Sequence, residues 1–207
     1  MNLRYGIIMP KPYVPNDKWS QRAAKAGYRA RSVYKLTELD ERFRLIRHGM
    51  TVLDLGAAPG SWLQYAQEKI GSKGKVIGLD LQSIKPIKNV STYEQDITDL
   101  EGVEAILQKE GVEQVDLILS DLAPSTSGIK DIDQWKSIEL SQVVLSVAER
   151  FLKSGGTCVM KVLRGADFDA FLKELKRTWK NVHTVHVKAS RDRSKEIYII
   201  AQHTSAS

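Results

Sequence analysis

Val52-Leu53-Asp54-Leu55-Gly56-Ala57-Ala58-Pro59-Gly60-Ser61-Trp62 runs from an apolar segment through small residues into a helical start. Val52, Leu53 and Leu55 read as a buried strand. Gly56, Ala57, Ala58 and Gly60 let a ligand approach the backbone, and Pro59 stiffens the turn and removes one N–H donor. The first N–H groups of the next helix then face whatever occupies the crevice. In an open α/β sheet, ligands bind at the carboxyl ends of the strands. Two readings stand side by side here: a cofactor loop, and an ordinary tight strand-to-helix turn. The stretch is not a G-x-G-x-x-G dinucleotide fingerprint. Nor is it a P-loop, since no Lys-Ser/Thr pair follows Gly60.

Outward from this loop, strand and helix patterns alternate. Strands are expected at Val52–Leu55, Lys75–Asp80, Val90–Gln95, Val115–Ser120, Thr157–Val162, Val182–Val187 and Glu196–Gln202. Helices are expected at 17–27, 32–44, 62–70, 98–110, 134–152 and 167–178. Asp17 and Ser32 are read as helix caps. In the second helix Val33, Leu36, Leu39 and Phe43 recur three and four apart, which is one helical face. Lys35 lies off that stripe, free to face a crevice. The alternation predicts a mostly parallel seven-stranded sheet with helices on both faces. Only Lys188–Lys195 joins the last two strands, too short for a helical crossover, so they should pair antiparallel. Pro10, Pro12 and Pro15 mark residues 1–16 as an extended arm. Residues 17–207 are expected to form one domain that includes basic helices at 17–47.

Of the 207 residues, 42% are hydrophobic and 27% charged, values of an ordinary globular chain. Cys158 is the single cysteine, so no internal disulfide forms. No apolar stretch approaches the ~20 residues of a membrane span, and no signal-peptide core opens the chain, so a soluble cytoplasmic protein is expected. Residues 1–50 hold eleven Lys/Arg against four Asp/Glu, a local charge of +7 within a total of +6. The other 157 residues therefore net −1. A basic segment on a near-neutral domain is the footprint of a polyanion binder, although a solvated helix face gives the same pattern. Lys18, Arg22, Lys25, Arg29 and Arg31 are the candidate phosphate contacts, with Arg191, Arg193 and Lys195 as possible additions. Trp19, Trp135 and Trp179 are expected in packing. His48, His183, His186 and His203 show no ligand spacing, so no metal site is expected.

Asp80, Asp96, Asp121 and Lys161 all fall at carboxyl ends of expected strands. Asp80 lies some twenty residues past the glycine loop, where an acid can accept ribose hydroxyls. Lys161 stands in the apolar run Cys158-Val159-Met160-Lys161-Val162-Leu163. A lysine there is costly unless paired, and Asp121 is the expected partner. Such a lysine can serve as a base. It can equally snorkel out at the strand end.

Asp54-Leu55-Gly56-Ala57-Ala58-Pro59-Gly60-Ser61-Trp62, Ser120-Asp121-Leu122-Ala123-Pro124 and Met160-Lys161-Val162 together resemble the FtsJ-type RNA 2′-O-ribose methyltransferases. So do Ser32-Val33-Tyr34-Lys35-Leu36 and Ser194-Lys195-Glu196-Ile197-Tyr198. The resemblance runs from Asp17 to Gln202. It departs from the family pattern at Ser61, where a second glycine is usual, and in the Pro124–Asp133 loop. The resemblance implies a Rossmann-like class I methyltransferase fold with S-adenosylmethionine as cofactor. It implies a cofactor site at Gly56, Ala57, Pro59, Gly60, Trp62, Asp80, Asp96 and Asp121. Lys35, Asp121, Lys161 and Glu196 would be the catalytic set, with Lys161 taking the 2′-hydroxyl proton. The compact length resembles the bacterial-type members that methylate a uridine ribose of large-subunit rRNA, and a monomer is expected. A tRNA anticodon loop, an mRNA cap and a catalytically silent RNA-binding module are the alternatives. The basic segment weighs against a small-molecule substrate.

Overall fold

The computed structural model describes residues 18–124, 127–190 and 195–203. The expected arm at 1–16, the Asp17 cap, Arg191 and Arg193 lie outside them. The sheet order is β3-β2-β1-β4-β5-β7-β6. Its strands are β1 (Thr51–Leu55), β2 (Lys75–Asp80), β3 (Val90–Glu94), β4 (Val115–Ser120), β5 (Leu152–Leu163), β6 (Lys180–Val185) and β7 (Glu196–Gln202). The strand carrying the glycine loop is central and pairs in parallel with β2 on one side and β4 on the other. The chain winds from β1 out to β3, then returns past β1 to β4. That reversal opens a crevice at the carboxyl ends of β1 and β4. Strand β7 is antiparallel to β6, as the short 188–195 connection requires, and it is antiparallel to β5 as well.

Helices α1 (Lys18–Lys25), α2 (Val33–Phe43) and α3 (Ser61–Ile70) cover one face of the sheet. Helices α4 (Leu100–Lys109), α5 (Lys130–Phe151) and α6 (Phe168–Thr178) cover the other. Leu53, Leu55, Ile77, Leu79, Leu117 and Ile118 are fully buried. Each such side chain contributes roughly 1.5–3 kcal/mol relative to exposure. This two-sided burial explains why the strands read as continuous apolar runs. Among the described residues no helix is long and apolar enough to cross a membrane.

Several expected boundaries move. Helix α5 starts at Lys130, four residues early. Asp133 accepts hydrogen bonds from the Ser127 N–H and hydroxyl, at 2.6 and 2.7 Å, and ties the preceding loop to the first turn. Strand β5 begins at Leu152, ahead of Gly155-Gly156, with a register shift against β4 between Val115 and Leu117. Strand β6 lies two residues earlier than its alternation suggested. Ser32 precedes α2, but its hydroxyl makes no cap bond and lies 2.9 Å from the Ser61 hydroxyl instead. Ser61, the departure from the family pattern, thus ties α3 to α2. Trp179 is buried as expected, whereas Trp135 is 52% exposed and does not pack in the core.

Candidate active site

Two lysines, two carboxylates and a phenol meet beside the crevice. Helix α2 turns Lys35 inward, off its apolar stripe, and leaves it buried. Its Nζ lies 2.9 Å from Glu196 Oε2 and 3.6 Å from Asp121 Oδ1. Lys161 is 8% exposed, so it does not snorkel to solvent. Its Nζ lies 3.0 Å from Asp121 Oδ1 and donates to the Asp121 carbonyl at 2.5 Å. Lys35, Asp121, Lys161 and Glu196 therefore converge from α2, the end of β4, β5 and the start of β7. Burial pushes the Glu196 carboxyl up. The Lys35 charge and hydrogen bond, the Lys161 charge and the Ser190 hydroxyl outweigh burial and hold it below its ordinary value. Two positive and two negative charges balance, which is what lets the group stay out of water.

Sequence reasoning passed over Tyr198 and Asp54. The Tyr198 hydroxyl donates to Asp121 Oδ1 at 2.5 Å, the same oxygen that both lysines approach. Burial, then the Asp121 charge and hydrogen bond and the Glu196 charge, push this phenol far up, so it stays a donor. Period-two alternation from Glu196 was the available signal, because positions 196 and 198 share a strand face. Asp54 was visible as a lone acid inside an apolar strand. It is fully buried and its Oδ2 has no partner among the described residues. Burial, then Asp121 and Asp80, push its carboxyl well above the ordinary range.

The loop itself is a tight cradle. At Gly56, with φ +75°, an added Cβ would lie 2.1 Å from Leu122 Cδ2. Gly60, with φ +103°, precedes α3, where a Cβ would meet Ile87 at 2.8 Å and Arg29 Nη1 at 2.9 Å. Ala57 is buried and Pro59 is exposed at the tip. Trp62 is buried, donates from Nε1 to the Ser32 carbonyl at 2.8 Å, and lies against Tyr198 at 6.0 Å between ring centroids. Trp62 therefore links the loop, α2 and the lysine cluster. Asp80 ends β2, and its two oxygens accept from the Ala58 N–H at 2.9 Å and the Gln82 N–H at 2.8 Å. Asp96 lies past β3, exposed. Its Oδ1 accepts from the Thr98 N–H and hydroxyl, and these bonds hold its carboxyl below the ordinary value. Asp96 thus braces its own turn and does not touch the cluster.

The basic residues divide into two groups. Lys18 and Lys25 are exposed on α1, and Arg22 lies 4.7 Å over the Tyr34 ring. Arg29, expected as a phosphate contact, also has a structural task. Its guanidinium donates to the carbonyls of Pro59, Lys85 and Pro86 at 3.0, 2.7 and 2.8 Å. It clamps the glycine loop to the 85–86 segment with three of its five N–H donors. Arg31 donates from Nη2 to the Ala189 carbonyl at 2.6 Å, tying the segment before α2 to the turn after β6.

Asp80 ends the strand beside the glycine loop, and the buried Asp54 carboxyl lies behind that loop with one oxygen unpartnered among the described residues. The glycine cradle, with Asp80 at the neighbouring strand end, fits a cofactor whose chain lies along the backbone and whose hydroxyls meet an acid. Comparison with known proteins agrees with this geometry. The family model described as FtsJ-like methyltransferase matches residues 28–204. The chain is 45% identical over 186 residues to the ribosomal RNA large subunit methyltransferase E of Methanothrix thermoacetophila, spanning 90% of this chain and 72% of that protein. It is 44% identical to the protein of the same name from Azoarcus sp. BH72, spanning 89% and 90%. A ribosomal RNA methyltransferase structure from Plasmodium falciparum superposes with TM-score 0.78 at 31% identity, covering 87% of this chain and 100% of that one. Aeropyrum pernix fibrillarin, solved with S-adenosyl-L-methionine, shares the fold at TM-score 0.55 and 20% identity, covering 76% and 68%. The chain belongs to the FtsJ-like methyltransferase family, and S-adenosylmethionine is its cofactor.

Proposed function

We propose that the protein methylates the 2′-hydroxyl of a ribose in large-subunit ribosomal RNA, with a uridine as the modified nucleotide. One observation carries this reading. Lys161 and Lys35 both approach Asp121 Oδ1 beside a glycine cradle, on the face that also bears the basic helices. When bound, S-adenosylmethionine supplies an electrophilic methyl group on a sulfonium. Gly56, Ala57, Pro59, Gly60 and Trp62 would hold its methionine side, Asp80 its ribose hydroxyls, Asp96 its adenine, and Asp121 its amino group. Lys161 Nζ, uncharged at that moment, takes the proton from the ribose 2′-hydroxyl. Asp121 fixes Lys161 through Oδ1 and its carbonyl, and Lys35 orients the hydroxyl. Glu196 anchors Lys35 from the opposite side. Placing a weak nucleophile in fixed geometry supplies much of the rate.

Lys18, Arg22 and Lys25 on α1 would meet RNA phosphates, and Arg31 would shape the same rim. Residues 17–207 act as one methyltransferase domain, working as a monomer in the cytoplasm on the large subunit. The intact charge cluster favours catalysis over a silent RNA-binding role. The test is transfer of a radiolabelled methyl group to unmethylated large ribosomal subunits. Wild type labels the rRNA. Lys161→Ala binds the cofactor and leaves the RNA unlabelled. A fully active Lys161→Ala would remove Lys161 as the proton acceptor.

A further inference from the structure

At the opposite pole of the sheet, a polar cavity of about 380 Å³ opens between the end of α2 and the start of β5. Its wall includes Arg44, Arg47, Asp116, Lys153 and the Gly155-Gly156 backbone. Asp116, the one acid in the lining, is already engaged. Its Oδ1 accepts from Lys153 at 2.7 Å and its Oδ2 from the Thr51 N–H at 2.7 Å. Among the described residues, the side chains of Arg44 and Arg47 make no hydrogen bond or ion pair. The cavity therefore carries an uncompensated charge from two guanidinium groups, with five N–H donors on each.

The backbone supplies a second observation. Arg44 closes α2 in the left-handed region, φ 53° and ψ 50°, with its N–H bonded to the Asp40 carbonyl. That position usually belongs to glycine or asparagine, because a Cβ is strained there. An arginine held in this conformation beside a cavity with ample room for a phosphate points to a task for its side chain.

We propose that this cavity is a second phosphate site, in which Arg44 and Arg47 grip a backbone phosphate of the substrate RNA remote from the methylated ribose. Guanidinium groups suit phosphate oxygens, which they can bond in pairs. Helix α2 joins the two sites rigidly, since Lys35 and Arg44 stand about 14 Å apart along its axis at 1.5 Å per residue. A folded rRNA can reach both poles of the sheet, whereas a single nucleotide cannot. The occupant rests on the RNA reading given above.

The test compares wild type with the double variant Arg44→Gly, Arg47→Ala, using large ribosomal subunits from cells that lack this protein. The melting temperature should not fall, because glycine suits the left-handed position better than arginine. The slope of log affinity against log salt should drop by about 1 for each arginine removed. KM for subunits should rise several-fold while kcat and cofactor affinity hold. A wild type that binds and methylates subunits, with a variant that matches its salt slope and KM, overturns the anchor alone. A wild type that neither binds nor methylates them overturns the RNA reading and the occupant with it. Inorganic phosphate supplies the last arm. If the variant loses phosphate binding but keeps the RNA slope, the cavity takes a free anion and the RNA anchor is wrong.

Discussion

The two ends of the sheet handle charge in opposite ways. At the carboxyl ends, Lys35, Asp121, Lys161 and Glu196 are drawn in from four elements and paired. At the amino ends, Arg44 and Arg47 have no side-chain partner among the described residues and stand beside a water-accessible cavity. The first arrangement fixes atoms. Each group there is desolvated, so deleting one strands its partners at a cost of about 3–5 kcal/mol for a buried pair. The second arrangement attracts a polyanion. Each cation there acts nearly independently and its effect fades with salt. Large, non-additive effects should therefore cluster at the crevice, and small, salt-sensitive ones at the surface.

Lys161→Ala is the strongest test of that contrast. It should lower kcat by roughly 10²–10⁴-fold, the range of a lost general base, with cofactor affinity retained by calorimetry. A loss below about tenfold would place the proton elsewhere. Tyr198→Phe comes next. It removes the hydroxyl that donates to Asp121 Oδ1 but keeps the ring against Trp62. A hydrogen bond to a charged group contributes about 1.5–3 kcal/mol to stability, so the melting temperature should drop by several degrees, and kcat should fall as Asp121 loses that donor, with cofactor affinity held. A wild-type kcat would show that Lys35 and Lys161 hold Asp121 without it.

Asp54→Asn probes the buried carboxyl behind the loop. Its folded pKa lies well above the unfolded value near 4, so the folded protein binds a proton that the unfolded chain has released. Wild-type stability therefore declines as pH rises from that unfolded value toward the folded one. The variant has nothing to titrate there and should decline less. The gap between the two should widen steadily from pH 5 to pH 8, read by chemical denaturation. Parallel curves would mean that Asp54 gains a partner in solution. The smallest effect belongs to Arg22→Glu with Lys25→Glu on α1. Affinity for subunits should weaken a few-fold at physiological salt and the salt slope should flatten by about 1 per side chain. An unchanged slope would move the RNA to another face.

The sheet was legible because its strands are buried on both faces. Val52–Leu55, Lys75–Asp80 and Val115–Ser120 read as apolar runs, and polar residues mark where they stop. The antiparallel pairing of β6 with β7 followed from one short connection, whereas the insertion of β7 between β5 and β6 did not. The start of α5 was less legible, because Lys130-Asp131-Ile132-Asp133 has no apolar period and is organised by Ser127 bonding to Asp133. The pairing of Lys161 with Asp121 could be read from the cost of a lysine in an apolar strand. Lys35 and Glu196 needed the resemblance, since a lysine off a helix stripe and an acid at a strand start are usually exposed. The structural task of Arg29 was not legible. Sequence reports its charge but not the three carbonyls that surround it. Trp135 misled, because nothing local in the sequence separates an exposed tryptophan from a packed one.

The most direct test of the central claim is a map of 2′-O-methylated riboses across cellular RNA, made with and without this protein. One ribose methyl group in the large-subunit rRNA should vanish on deletion. Wild type should restore it and Lys161→Ala should not. An unchanged rRNA map, or full restoration by Lys161→Ala, would contradict the account.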